Sequence, residues 1–117
     1  MLAGGIAGVI NKGIIGDEES KSGGIKLENG GTLSSLGANE KENDLSVNPA
    51  ILNMENGIIY GDTEISNGSK LLGGILNQDN ASLIGDIKVS GANSQIIGGI
   101  TNIGNGKIEG SININNG

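Results

Sequence analysis

The sequence predicts an all-β chain folded as a parallel β-helix (β-solenoid) of about five coils, each 19–26 residues long. Three observations lead there. A short pattern recurs at coil-sized spacing, apolar residues alternate within it, and the composition suits packed rows of isoleucine better than a globular core. Of 117 residues 23 are Gly, Tyr60 is the sole aromatic, and Cys, His, Trp, Phe and Arg are absent. Without large rings a compact core has little to fill it. Yet 35% of the chain is apolar, which is unlike a disordered polymer.

The recurring pattern begins at Gly4-Gly5-Ile6, Gly23-Gly24-Ile25, Pro49-Ala50-Ile51, Gly73-Gly74-Ile75 and Gly98-Gly99-Ile100. Its third position, Ile6, Ile25, Ile51, Ile75 and Ile100, is the first expected inward column. A second runs through Ile14, Leu33, Ile59, Leu83 and Ile108, with Gly at the position two residues later in four of the five copies. In "KIEGSININ" the residues Ile108, Gly110, Ile112 and Ile114 share one parity and Glu109, Ser111, Asn113 and Asn115 the other, which is the signature of a half-buried strand. Glycine weakens a strand interior unless the backbone bends there, so the repeated Gly predicts a corner. Each coil then consists of bent strands such as "QIIGGI" and "KIEGSINI". They are joined by turns whose Asn and Gly suit positive φ.

Asparagine makes columns of its own, Asn53/Asn77/Asn102 and Asn56/Asn80/Asn105. Amides stacked from coil to coil can hydrogen-bond along the axis and satisfy turns that would otherwise bury polar groups. Five coils at about 4.8 Å each give a rod roughly 24 Å long. Residues 1–117 form one solenoid segment, interrupted by irregular acidic loops near 17–22 and 37–49. Because the chain opens and closes in mid-repeat, the expectation is an excerpt from a longer array.

The pattern GGIxNxGxGxIxGxI, present as "GGITNIGNGKIEGSI" and loosely as "GGILNQDNASLIGDI", resembles the degenerate repeats of autotransporter passenger domains of Gram-negative bacteria. The resemblance covers nearly the whole chain. It implies a right-handed parallel β-helix, secreted and displayed outside the outer membrane, commonly in adhesion or virulence, with a host-surface protein or glycan as partner.

Chemistry-bearing residues are few. Seven Lys against thirteen Asp and Glu give a net charge of −6, which disfavours nucleic acid and anionic lipid. No window is long and apolar enough to insert in a membrane. With neither His nor Cys, the common nucleophilic triads are unavailable. Asp62 and Asp86 align one coil apart, near the separation that a retaining glycosidase uses, but Ser111 occupies the same column and basic or aromatic sugar contacts are lacking. The acidic loops, with Asp17, Glu18 and Glu19 in one and Glu40, Glu42 and Asp44 in the other, lack the spacing of a repeated calcium motif. No catalytic, metal or cofactor site is therefore assigned. Ile58, Tyr60 and Ile84 make a small outward apolar patch, which either contacts a partner or lies beneath a neighbouring loop. The resulting expectation is a non-enzymatic structural stalk. Its alternatives are a polysaccharide-active β-helix enzyme and a self-assembling fibre, the latter because uncapped solenoid ends present strand edges for end-to-end association.

Overall fold

Strands of two to four residues, separated by glycine and asparagine corners, wind the chain into stacked four-sided coils. A computed structural model describes residues 8–34 and 49–115. The first coil contains β1 (Val9–Asn11), β2 (Ile14–Ile15), β3 (Ile25–Leu27) and β4 (Thr32–Ser34). The second contains β5 (Ile51–Asn53), β6 (Ile58–Tyr60), β7 (Thr63–Ser66) and β8 (Lys70–Leu72). The third contains β9 (Ile75–Asn77), β10 (Ser82–Ile84), β11 (Ile87–Ser90) and β12 (Gln95–Ile97). The fourth contains β13 (Ile100–Asn102), β14 (Lys107–Glu109) and β15 (Ile112–Asn115). Equivalent sides stack as four sheets, β1-β5-β9-β13, β2-β6-β10-β14, β3-β7-β11-β15 and β4-β8-β12. Every strand pair is parallel and every pair joins adjacent coils, as in a parallel β-helix.

Alternation along each strand sends one set of side chains into the tube. Ile51, Ile59, Ile65, Leu71, Ile75, Leu83, Ile87 and Val89 form the buried core of the second and third coils. Val9, Ile15, Ile25, Leu27 and Leu33 from the first coil pack against it, as do Ile100 and Ile108 from the fourth, and these remain half-buried. The gradient has a simple cause. Among the described residues an inner coil has a stacked coil above and below it, whereas the first and fourth coils have one on a single side.

The register corrects the expected count and two of the columns. There are four coils among the described residues, about 19 Å of stack at about 4.8 Å per coil, because residues 9–50 complete a single turn. Val9, not Ile6, lies in register with Ile51, Ile75 and Ile100, and Ile6 is outside the described residues. Ile25 belongs to a different side, opposite Thr63, Ile87 and Ile112. Leu33 pairs with Leu71, which continues to Ile96, instead of joining Ile59. Ile14 faces Ile58 on the outside, and its neighbour Ile15 takes the inward place beside Ile59, Leu83 and Ile108. Glycine is the source of the mismatch. Two corners of the coil use it before an inward residue, so Gly23-Gly24-Ile25 at one corner copies the look of Gly73-Gly74-Ile75 at another.

Both interruptions leave and rejoin the coil at its corners. The first, after Gly16, closes as a small hairpin in which Asp17 and Ser22 form an isolated antiparallel bridge before the chain resumes with β3. The second leaves β4 at Ser34 and returns at Pro49, where the later coils turn through Gly73-Gly74 and Gly98-Gly99. Its residues 35–48, including Glu40, Glu42 and Asp44, lie outside the described residues.

Candidate functional site

Inside the corner between the first and second sides runs a continuous ladder of amides. Asn11 Nδ2 donates to Asn53 Oδ1 at 2.9 Å, Asn53 Nδ2 to Asn77 Oδ1 at 2.8 Å, and Asn77 Nδ2 to Asn102 Oδ1 at 2.9 Å. Each amide also reaches corner carbonyls: Asn11 those of Gly13 and Ile58, Asn53 that of Ser82, Asn77 those of Ala81 and Lys107, and Asn102 that of Gly106. Asn53 and Asn77 are completely buried. Asparagine suits this place because a single short side chain offers both an acceptor for the coil before and donors for the coil after. Asn11 extends the expected column by one coil. The opening motif conceals it, since matching Gly4-Gly5-Ile6 to Gly98-Gly99-Ile100 shifts the frame by three residues.

The second column, Asn56, Asn80 and Asn105, lies in the exposed part of the same turn, where Asn105 Nδ2 donates to Asn80 Oδ1 at 3.2 Å. The positive φ falls one residue earlier, at Glu55 (58°), Asp79 (62°) and Gly104 (73°). Asp79 offsets this conformation by accepting the Glu55 backbone N–H at 2.9 Å. A third polar column hides near the fourth side. The buried Ser69 and Ser94 accept from Gly31 N–H at 3.1 Å and Gly68 N–H at 3.0 Å.

The corner between the second and third sides is built from Gly16, Gly61, Gly85 and Gly110, all at positive φ. A Cβ on Gly85 would overlap the Gly61 carbonyl oxygen, and one on Gly110 that of Gly85. Only glycine admits this approach. Beside the corner the outward carboxylates act as clips: Asp62 Oδ1 accepts Asp86 N–H at 2.9 Å and Asp86 Oδ1 accepts Ser111 N–H at 2.9 Å. Lys88 Nζ lies 3.0 Å from Asp62 Oδ2. The Asp86 N–H, followed by Lys88, holds the Asp62 carboxyl below its ordinary range, and Asp62 in turn raises Lys88. A glycosidase acid needs the opposite shift.

That shift sets a pH dependence. Asp62 is depressed in the folded chain, so its stabilisation is complete above the unfolded value of about 3.9 and fades as pH falls through the lower folded value. Asp62→Asn keeps an acceptor for Asp86 N–H but loses the charge. Its melting temperature is expected below the parent's at neutral pH, with the gap closing as the buffer is taken from about pH 5 down to about pH 2. Half-exposed geometry makes the gap small and salt-sensitive. Parallel melting curves across that range would contradict the clip.

The expected apolar patch is not open. Tyr60 is only 5% exposed, and the ammonium of Lys21, on the first hairpin, lies 5.7 Å from its ring centroid. The insertion thus lies over the aromatic ring. Ile58 and Ile84 are half-buried, with Ile84 in register with Tyr60 and Ile58 opposite Ser82. Asp17, on the same hairpin, accepts Glu19 N–H and Ser20 Oγ–H, and the Ser20 bond leads in lowering its pKa. Between hairpin and coil runs a groove of about 250 Å³ lined by Lys21, Ser22, Gly23, Lys26, Gly61, Asp62 and Glu64. Its charges already meet partners, Lys26 pairing with Glu64 at 3.5 Å and Asp62 with Lys88. Among the described residues no group of three or more acidic, His or Cys side chains could hold a metal ion, and no helix is long and apolar enough to cross a membrane. No protein-family model, curated protein or solved structure matches the chain.

Proposed function

We propose that this chain is a structural stalk segment of a secreted, surface-displayed bacterial passenger protein, holding recognition elements that serve adhesion or virulence away from the cell. One observation carries the structural half: the amide ladder from Asn11 to Asn102 runs unbroken through all four described coils. A chain built this way transmits position along its axis. Its coils are tied by parallel backbone pairing, by apolar columns and by buried amides, and its polar groups are spent on one another. The outward carboxylates Asp62 and Asp86, the sharpest enzymatic pair in the sequence, are engaged as backbone clips, which favours scaffold over catalysis. The display half rests on the likeness of "GGITNIGNGKIEGSI" to passenger repeats. Corner insertions fit the same role, since loops on a rigid scaffold can vary without disturbing it. Host-surface proteins and glycans are the partners this reading supplies.

Location tests the proposal. An antiserum raised against the folded chain is expected to label intact cells of the source organism, and external protease to remove the label. Labelling only after lysis would overturn surface display.

A further inference from the structure

Asparagine followed by glycine is a chemically fragile pair. The glycine nitrogen, once it has lost its proton to base, can attack the side-chain Cγ; a C–N bond forms, the bond from Cγ to the amide nitrogen breaks, and ammonia leaves. Water then opens the cyclic imide at one carbonyl or the other, giving aspartate, or isoaspartate with its main chain routed through Cβ. The second coil carries this dipeptide twice, as Asn56–Gly57 and Asn67–Gly68. Both asparagines are exposed, and both turns bond to the first and third coils. We propose that Asn67–Gly68 is a modification site of the folded chain, where water-driven deamidation occurs, and that the fold shields Asn56–Gly57 from the same reaction.

Two observations separate the sites. The first is room around the glycine, whose nitrogen must swing toward Cγ. Gly57 is buried at the foot of the amide ladder, where a Cβ would stand 2.6 Å from both the Asn11 carbonyl oxygen and Asn53 Oδ1. Gly68 is half-buried, and the nearest such neighbour is the Ala92 carbonyl oxygen at 4.0 Å. The second is the bond that holds the attacking nitrogen. Gly57 N–H donates at 2.9 Å to the carbonyl of Met54, whose own N–H is tied to the Asn11 carbonyl at 3.0 Å. Gly68 N–H donates instead to Ser94 Oγ at 3.0 Å. A hydroxyl can turn to another rotamer, which a main-chain carbonyl cannot do alone. Ser94 is thus a latch on the reaction. Asn67 lies in the left-handed region at φ 55°, so ring closure also needs rotation about its Cα–C bond, and the open corner permits it. The result reaches the stack, because the Asn67 carbonyl accepts Gly30 N–H from the first coil at 3.0 Å. An isoaspartate lengthens the main chain at that tie, and either product adds a negative charge.

Peptide mapping of the 117-residue chain after long incubation in mildly alkaline buffer tests this, with fragment mass spectra locating each replacement of NH by O. In the folded parent Asn67 is expected to convert at least about fivefold faster than Asn56, since reaction at a held nitrogen waits on local opening. In urea both dipeptides are freed, and the two rates should converge. Ser94→Ala removes the latch and is expected to raise the ratio of Asn67 to Asn56 conversion by about two- to tenfold, the effect of losing one hydrogen bond. General loosening of the coils by that substitution would speed both sites together and leave the ratio alone. Asn56 converting as fast as Asn67 in the folded parent would overturn the proposal. So would a preference for Asn67 that is equally large in urea, or an unchanged ratio in a Ser94→Ala chain whose circular dichroism matches the parent.

Discussion

Replacing Asn77 with leucine is expected to cost about 2 to 5 kcal/mol of folding stability, although the two side chains are close in volume. Asn77 is completely buried, accepts from Asn53 and donates to Ala81, Asn102 and Lys107. Leucine strands the Asn53 amide hydrogen and the Lys107 carbonyl without the amide that served them. Burying an orphaned polar group costs about 1–3 kcal/mol, more than the net worth of the bond removed. The same substitution at Asn102 provides the contrast, because that residue is exposed at the end of the ladder and its partners can turn to water; a loss of about 1 kcal/mol or less is expected there. Urea unfolding of both variants measures the difference. Equal losses, or a neutral Asn77→Leu, would mean that backbone pairing and isoleucine packing hold the coils without help from the amides.

Gly85→Ala should be at least as damaging, at about 3 to 5 kcal/mol, and Gly110→Ala less so because the outer coil can fray. Two costs add at Gly85. Its φ of 144° is one an L-residue rarely adopts, worth about 1–3 kcal/mol. Its new methyl would also drive into the Gly61 carbonyl, so adjacent coils must part at that corner; forced overpacking adds about 1–3 kcal/mol. Two other glycines separate these terms. Gly99 has φ 84° but open space around a Cβ, so alanine there meets only backbone strain. Gly13 also has open space and no positive φ, and alanine there should be neutral or stabilise by up to about 1 kcal/mol, through loss of unfolded-state freedom. Thermal melts of the three variants are expected to rank Gly85→Ala far below Gly99→Ala, and Gly99→Ala below Gly13→Ala. Any other order would place the close approach at the wrong corner.

The ion pairs between coils contribute less than either feature. Lys12–Glu55 at 3.2 Å, Lys26–Glu64 at 3.5 Å and Lys88–Asp62 at 3.0 Å all join exposed side chains of neighbouring coils. Such pairs are typically worth under about 1 kcal/mol. They oppose a slip in register more than they raise stability. Within the third sheet Lys26, Glu64, Lys88 and Asn113 follow one another, so a shift by one coil would set Lys26 against Lys88.

The last three coils were legible in the sequence because little interrupts them. Ile51, Ile75 and Ile100 recur at near-constant spacing, and Gly61, Gly85 and Gly110 mark the same bend each time. Asn53, Asn77 and Asn102 sit two residues beyond the first inward isoleucine. Periodicity of this kind reports geometry directly, since a residue repeated once per coil occupies one side of the tube. The first coil was not legible in the same way. Its two insertions stretch one turn across residues 9–50, and a search for equal spacing divides that stretch into two coils. Ile25 and Leu33 then fall into columns that the strand pairing does not support, and Asn11 drops out of the ladder.

What the sequence by itself determined is the class of object: parallel, all-β and built from stacked coils. Those follow from local alternation and from a repeat too short to enclose its own core. Tertiary structure alone decided which residue of the first coil meets which of the second, that the Asp17–Ser22 hairpin lies over Tyr60, and that Asp62 and Asp86 serve as clips. The reason is physical. Alternation says only that a strand has two faces, whereas register depends on the summed fit of distant side chains, and insertions change sequence separation without changing that fit. The direction of the amide ladder belongs to the second group as well. Every asparagine carries both a donor and an acceptor, and only the stack, by placing Gly13, Ser82, Ala81 and Gly106 carbonyls beside the amide nitrogens, points all four the same way.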